Sequence, residues 1–341
     1  MTRKRLLISI LSTVLVIAAA VAIAVFTKVS VPSDAAAMLA FYTRNKPDAE
    51  VTVAVIHGGE TEVKAYGHDG VPIAVPDRFY EIGEITRTFT GAVAAKAIAD
   101  GYLRQDMPVS HILRLSGGTY TPTVFELLTH SSGYSDYSPD VSSSKRSNPY
   151  SGIDGNDIVS AMNSFKLRSE PPYLYSDSDF GVAALAAVLS KAYNVDFYSI
   201  LTLFIRNELN LENTYVSVEG TIADGWQWNY DDAYMASCGL TSNIRDMVSY
   251  AKLYLAGDIP FIAAASDPLY EVNADTAIGY LWTVSGKSWV LSQSGHTGHY
   301  SSSIVIDKTN GAAVIVLSNY PDDRYGSTEA IAQAYLDEIK A

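Results

Sequence analysis

The spacing of apolar residues in the first third of the chain predicts a strand hairpin followed by a helix. Val51 to Ile56 and Thr61 to Tyr66 are rich in β-branched residues, and Gly58-Gly59 lies between them as in a tight turn. From Thr86 to Asp100 apolar residues recur at helical spacing, and Gly101 follows as a typical stop. No internal repeat or long linker interrupts the chain from about residue 35 onward.

A second group of β-rich runs lies near the C-terminus and precedes a helical pattern from Ser327 to Lys340. Its members are Ala277 to Val284, Trp289 to Ser292, Ser302 to Ile306 and Ala312 to Leu317. Between about residues 105 and 235 the pattern indicates helices and loops. Strands at both ends around a helical middle predict an α+β fold: one sheet from the N- and C-terminal segments, flanked by helices, with an inserted all-α subdomain at about 105–235.

The N-terminal segment has the pattern of a membrane anchor. The uncharged, largely apolar run from Leu6 to Phe26 would span roughly 30 Å as a helix, which matches a bilayer core. Three basic residues precede it, whereas only Lys28 follows closely. This bias predicts a cytoplasmic segment 1–5, a single-pass signal anchor 6–26 and an extracytoplasmic domain 35–341.

A cleaved signal peptide is the alternative interpretation of the same segment. Ala20-Val21-Ala22 and Ala22-Ile23-Ala24 both resemble cleavage sites, and cleavage would release a secreted protein. The apolar stretch of a signal peptide is usually about 7–15 residues, so the longer run favours the anchor. Both interpretations place the domain outside the cytoplasm, and its lack of disulfides favours a bacterial source.

Charge and cysteine content exclude several classes of function. A net charge of −13 argues against a nucleic-acid partner, since phosphate binding needs clustered Lys and Arg. The single cysteine, Cys238, excludes an internal disulfide and is expected to be a small buried hydrophobe. His296 and His299 would point to opposite faces of a strand, and no H-E-x-x-H is present. We therefore expect no metal site and no cofactor.

Five segments follow one another in an order that identifies a family. They are Phe79–Thr90 (FYEIGEITRTFT), Leu127–Gly133 (LLTHSSG), Tyr175–Gly181 (YSDSDFG), Gly239–Ser242 (GLTS) and Gly295–Gly298 (GHTG). From about residue 36 to the end, the chain resembles the serine β-lactamase and penicillin-binding protein family, nearest to its class C and D-alanyl-D-alanine peptidase branch. The resemblance implies a β-lactamase/transpeptidase-like fold with an antiparallel sheet.

The resemblance also implies acyl transfer by a serine, with a lysine one helical turn later. Here the serine position is Glu84 and the lysine position is Arg87. Glutamate has no hydroxyl to deprotonate, and arginine cannot act as a base at ordinary pH. Their i, i+3 spacing predicts an ion pair that fills the former catalytic pocket.

The remaining motif positions are kept in part. Tyr175 lies where the resemblance places the tyrosine that relays a proton to the leaving group. Asp177 replaces an asparagine, so a carboxylate that only accepts stands where an amide would donate. His296 occupies the Lys/His position of the third motif, and Thr297 and Gly298 complete its ligand-binding positions. Glu84 and Asp177 against Arg87 give the pocket a charge near −1, which weakens capture of a carboxylate ligand.

These changes favour a membrane-anchored pseudoenzyme that binds a peptidoglycan fragment or an envelope protein without turning it over. The alternative is an active hydrolase of D-Ala-D-Ala carboxypeptidase, esterase or β-lactamase type, using another nucleophile or Glu84 as general base. A purely structural envelope protein is a third interpretation. The chain contains two other S-x-x-K matches, Ser142–Lys145 and Ser249–Lys252. Its serine and lysine content makes about this number of matches expected by chance.

Two further residue types admit both a structural and a functional interpretation. His130, in the second motif, is expected to be a hydrogen-bonded core residue. The chain has 23 tyrosines. A cluster of them either lines a sugar- or peptide-binding groove or packs in the ordinary half-buried way: Tyr134, Tyr137, Tyr150, Tyr173 and Tyr175. The packing interpretation is the simpler one.

Overall fold

The structure is a computed structural model that describes residues 32–115, 120–134, 148–164, 171–218, 222, 224–285, 289–324 and 326–340. Its strands are β1 Val51–His57, β2 Glu60–Tyr66, β3 Pro72–Ile73, β4 Tyr80–Glu81, β5 Tyr215–Val216, β6 Leu240–Ser242, β7 Tyr270–Asn273, β8 Thr276–Gly279, β9 Trp282–Ser285, β10 Val290–His296, β11 Ser301–Asp307 and β12 Ala312–Ser318. Its helices are α1 Ala35–Thr43, α2 Thr86–Ala99, α3 Ser110–Leu113, α4 Val124–Leu128, α5 Gly155–Ser164, α6 Asp179–Tyr193, α7 Phe197–Asn207, α8 Met235–Cys238, α9 Ile244–Ala256, α10 Pro260–Ala265 and α11 Thr328–Lys340. Two 3₁₀ turns occupy His68–Gly70 and Gly83–Ile85.

The main sheet joins the two ends of the folded chain. Its nine strands run in the order β3-β2-β1-β12-β11-β10-β9-β8-β7, and neighbouring strands pair antiparallel. Val51 in β1 pairs with Tyr66 in β2 on one side and with Ser318 in β12 on the other. The predicted α+β class, with one sheet built from both termini, is confirmed.

Both faces of the central strands are covered. In β12, Val314 and Val316 pack towards α1 and α11, whereas Ile315 and Leu317 pack into the larger core with the other helices. Successive side chains of a strand point to opposite faces, so a strand buried on both sides is apolar throughout. This explains why Ala312–Ser318 carries no charged residue.

Two helices under the sheet converge where the motif residues lie. In α2, Phe89 stacks on Tyr250 of α9 with ring centroids 3.9 Å apart. In α6, the Ser178 hydroxyl caps the first turn by accepting the Gly181 N–H at 2.9 Å. Almost every side chain in the first two-thirds of α6 is buried, so its N-terminus is held firmly.

The prediction of one strand from Ala277 to Val284 is wrong. The structure has two strands here, β8 and β9, joined by a two-residue turn in which Tyr280 and Leu281 have φ of 50° and 68°. Such turns usually contain Asn or Gly, so the sequence carries no turn signal. Tertiary contacts hold the turn: the Leu281 N–H donates to the Leu128 carbonyl at 3.0 Å, and Gln105 donates to the Tyr280 hydroxyl at 2.8 Å.

The predicted anchor, Leu6–Phe26, lies outside the described residues, as does Ser142–Lys145. From residue 32 onward, no helix that the structure describes is both long enough and apolar enough to cross a membrane.

Gly91, in the middle of α2, tests how closely the helix and the β8–β9 turn pack. A Cβ at Gly91 would lie 2.0 Å from the Tyr280 carbonyl oxygen. We expect Gly91→Ala to destabilise the domain by about 2 kcal/mol or more, although alanine favours helices, because backbone cannot move away cheaply. A lower urea midpoint would report the loss.

Gly155→Ala is the matched control, since Gly155 opens α5 and a Cβ there would meet no atom within 4 Å. We expect this variant to unfold at or slightly above the urea midpoint of the unmodified protein. Equal midpoints for both variants would contradict the close approach of α2 to the turn.

Candidate active site

Glu84 lies in a turn pressed against the end of strand β10. The 3₁₀ turn Gly83–Ile85 leads directly into α2. Gly83 has φ of +48°, and a Cβ there would lie 2.4 Å from the His296 backbone nitrogen. A Cβ at Gly295 would lie 2.5 Å from the Glu84 nitrogen. Only glycine permits this approach, so the two glycines bring the first and third motifs together.

The Glu84 carboxylate binds the third motif through its backbone. Its Oε2 accepts the His296 N–H at 2.7 Å and lies 3.7 Å from the imidazole Nδ1. The side chain is 16% exposed, whereas that of His296 is 74% exposed. Burial raises the pKa of Glu84 and Asp179 adds to the effect, while His296 and Arg87 oppose it. Glu84 therefore places a carboxyl group of elevated pKa against the end of β10.

Arg87 forms a buried clamp with two carboxylates, and the predicted Glu84–Arg87 ion pair is wrong. Its Nη1 donates to Asp177 at 2.5 Å, and its Nη2 donates to Asp179 at 2.6 Å. The start of α6 presents both carboxylates to the planar guanidinium fork, while β10 supplies the partner of Glu84. Burial lowers the pKa of Arg87, but the three carboxylates around it more than compensate and raise it well above its ordinary value.

Asp179 is the centre of this network, and sequence reasoning missed it. Besides Arg87, it accepts hydrogen bonds from the Ser237 hydroxyl and from the Tyr150 hydroxyl, the latter at 2.7 Å. Ser237 in turn accepts from Arg87 Nε at 3.1 Å. The available signal was an acidic residue in the first turn of a helix, but this is common at helix N-termini and does not mark a site.

His130 is buried and hydrogen-bonded, as predicted. Its Nδ1 accepts the Ser178 N–H at 3.2 Å, so the proton is assigned to Nε2, which lies 3.3 Å from Asp177. Burial lowers the pKa of His130 to about 4; Arg87 adds to this effect, and Asp177 opposes it. Burial opposes ionisation of Asp177, yet Arg87 and His130 together hold the pKa of Asp177 below its usual range.

Tyr175 lies beside His130, with the two rings edge to face and their centroids 6.0 Å apart. Burial raises the pKa of its phenol, and Asp177 raises it further, while Arg87 opposes them. Removing a proton from Tyr175 is therefore harder than from an ordinary tyrosine. The other tyrosines of the cluster noted in the sequence are not exposed as a groove would require: Tyr134, Tyr150 and Tyr173 are buried. Tyr137 lies outside the described residues.

Thr297 and Gly298 follow the last residue of β10. The Thr297 hydroxyl donates to Glu81 at 2.5 Å, and the other oxygen of Glu81 accepts the Trp226 N–H at 2.5 Å. Burial raises the pKa of Glu81, while these two hydrogen bonds lower it. Glu81 is a second residue that sequence reasoning missed, because its role depends on partners from distant segments. Gly298 lies half-exposed in the turn before β11.

Other candidate nucleophiles in the described residues are poorly placed. Ser249 and Lys252 are exposed on α9, where the Ser249 hydroxyl donates to the Arg245 carbonyl. Cys238 is buried, as predicted, and burial raises the pKa of its thiol well above the ordinary value. Among the described residues, no group of three or more His, Cys, Asp or Glu is arranged to hold a metal ion.

The site holds more carboxyl groups than cations. Three carboxyl groups, Glu84, Asp177 and Asp179, surround one guanidinium in a site whose buried histidine is neutral. The formal charge predicted for the pocket from the sequence was near −1 because that count omitted Asp179. The geometry therefore adds negative character where a carboxylate ligand would need a cation.

Comparison with known proteins assigns the chain to a family. A family model described as beta-lactamase matches residues 42–337. A beta-lactamase of Providencia stuartii is 29% identical over 220 residues, which cover 60% of this chain and 54% of that protein. A beta-lactamase of Pseudomonas fluorescens is 24% identical over 260 residues, covering 70% and 67%. The aligned part thus spans about half the length of the Providencia relative.

Solved structures support the same assignment at the level of fold. A class C beta lactamase from Rhodobacter sphaeroides matches with a TM-score of 0.68 at 19% identity, covering 86% of this chain and 95% of that one. The octameric penicillin-binding protein homologue from Pyrococcus abyssi matches with a TM-score of 0.67 at 20% identity, covering 85% and 73%. The family match extends over most of the folded chain, from before β1 to within α11, and the chain belongs to the beta-lactamase family.

Proposed function

We propose that this protein holds a ligand at its family's acyl-transfer position without forming an acyl-enzyme. The observation that carries the proposal is the clamp on Arg87: the group at the lysine position is a permanently charged guanidinium, fixed between Asp177 and Asp179. Acyl transfer needs a nucleophile and a group that takes its proton. Here Glu84 and Arg87 supply neither.

The ligand that we propose is a peptidoglycan fragment or an envelope protein presented outside the cytoplasm. The apolar run Leu6–Phe26 supports an anchor in the cell membrane, with the domain on the extracytoplasmic side. The excess of carboxylates around Arg87 favours a ligand that carries ammonium or amide donors at this site over one that carries a carboxylate.

One observation favours a second candidate, a hydrolase in which Glu84 activates water. Its pKa is raised, and a general base works best with a pKa near the working pH. If this candidate operates, turnover of nitrocefin or of a p-nitrophenyl ester will be abolished by Glu84→Gln. We expect no turnover by either protein, because Glu84 Oε2 already accepts the His296 N–H and Arg87, which stays protonated, cannot act as a base.

Acylation by benzylpenicillin tests the proposal directly. We expect the intact mass of the full-length chain to be unchanged after incubation with excess penicillin. In a Glu84→Ser, Arg87→Lys double variant the new ammonium would still lie between Asp177 and Asp179 and stay protonated. We therefore expect a one-penicillin adduct only when Asp177→Asn is added to these two changes.

The single Asp177→Asn variant is the control and is expected to remain unmodified, since it restores no hydroxyl. A stable adduct on the unmodified chain would refute the proposal, and peptide mapping would then locate the nucleophile.

The neutral state of His130 predicts how stability depends on pH. The unfolded histidine binds a proton near pH 6.5, whereas the folded one does so only near pH 4. The stabilisation is thus complete above pH 6.5 and is lost as pH falls through 4, by roughly 3–4 kcal/mol. We expect His130→Gln to have a lower free energy of unfolding in urea at pH 7. Between pH 6.5 and pH 4 the free energy of unfolding of this variant should change less than that of the unmodified protein.

His111→Gln, a change at an exposed histidine, is the control and should keep the slope of the unmodified protein. If His130→Gln also keeps that slope, His130 is not the neutral buried group.

The proposed anchor can be tested by cell fractionation. We expect the full-length chain to stay in the membrane pellet after an alkaline carbonate wash, and a variant lacking residues 6–26 to leave it. An intact mass that lacks the first 22 or 24 residues would instead indicate a cleaved signal peptide, since cleavage would follow Ala22 or Ala24.

A further inference from the structure

A cavity lies away from the motif residues, in the helical layer. It encloses about 670 Å³, within the range of about 300–1,000 Å³ for small-molecule sites. Residues of α5, α6, the start of α7 and the segment 230–235 line it, and we call it the α5–α7 groove. Its α6 lining begins at Ala186 and extends beyond Ser190, whereas Asp179 binds Arg87 at the start of that helix. Eleven residues of helix separate Asp179 from Ser190 by roughly 16 Å.

An exposed aromatic ring stands at the edge of the groove. Tyr230 is 52% exposed, and Tyr198 holds it edge to face with ring centroids 4.9 Å apart. Both tyrosines line the groove together with the small apolar side chains Val159, Ala186 and Ala187. A fixed, half-exposed tyrosine offers a flat apolar face and a polar hydroxyl to a ligand at low entropic cost.

The charged residues of the groove divide into two groups. Asp154, Asp196 and Asp232 each accept a backbone N–H at 2.7–2.8 Å, so they are used by helix caps and turns. The side chains of Arg114, Lys191 and Asp231 are exposed and form no hydrogen bond or ion pair with the part of the chain that the structure describes. The available groups are thus two strong donors and one strong acceptor.

We propose that the α5–α7 groove binds a short N-acetylated oligosaccharide. A sugar ring has hydroxyl groups that donate and accept, which matches Lys191 and Asp231, and a C–H face that stacks on an aromatic ring such as Tyr230. Free groups of both signs disfavour a strongly charged ligand. The small apolar wall of Val159 and Ala187, both partly exposed, accommodates the methyl of an acetamido group. This site goes beyond the proposed function and uses none of the residues around Glu84.

Calorimetric titration of the full-length chain with triacetylchitotriose tests the proposal, in a detergent whose headgroup is not a sugar. Cellotriose has the same β-1,4 backbone without acetamido groups and is expected to bind more weakly. We expect Tyr230→Ala to weaken triacetylchitotriose binding about tenfold or more, and Tyr230→Phe to retain the affinity within about threefold.

Tyr102→Ala is the matched control. Tyr102 is 53% exposed and pairs with Tyr193 at 4.6 Å, yet neither residue lines the groove. We expect this variant to bind like the unmodified chain, and Lys191→Met to bind several-fold more weakly. No binding by the unmodified chain, equal losses for Tyr102→Ala and Tyr230→Ala, or equal affinity for cellotriose would each overturn the proposal. A penicillin adduct would contradict the proposed function and leave this site unaffected.

Discussion

A buried guanidinium held between two carboxylates is the interaction on which the candidate site depends. Removing the charge of Arg87 from water is costly, so the fold has to provide compensating charges in good geometry. Asp177 and Asp179 do so at the start of α6, and Ser237 adds a third contact from α8. This one side chain therefore ties α2, α6 and α8 together where the family motifs meet.

The clamp also fixes the protonation of its neighbours. Arg87 and His130 hold the pKa of Asp177 low, while burial holds that of His130 near 4 and that of Tyr175 above its usual range. At neutral pH these shifts favour an ionised Asp177, a neutral His130 and a protonated Tyr175. Glu84 is a carboxyl group whose pKa burial raises, in contrast to Asp177. The chain thus has the fold of its family, with Glu84 and Arg87 at the positions that the motif resemblance assigns to the serine and the lysine.

The same helix contributes to two separate surfaces. The N-terminal turn of α6 carries Asp179, whereas its later turns form one wall of the α5–α7 groove. Because the side chains between Phe180 and Leu189 are almost all buried, the helix is a rigid element between the two surfaces.

The sequence by itself determined the α+β class, the hairpin β1–β2, the long helices α2 and α11, and the order of the motif segments. These features depend on local period and composition, which one sequence contains. It also determined that neither Glu84 nor Arg87 can take the part of a serine–lysine pair, since that follows from side-chain chemistry alone.

Only the tertiary structure decided which groups those two residues meet. The partners of Arg87 lie 90 and 92 residues further along the chain, and that of Glu84 lies 212 residues away. The turn at Tyr280 is likewise held by distant contacts and not by turn residues. The spacing of residues within one helix or strand predicts which of them are neighbours on that element. The partner of a buried charge, in contrast, depends on which distant segments pack against it.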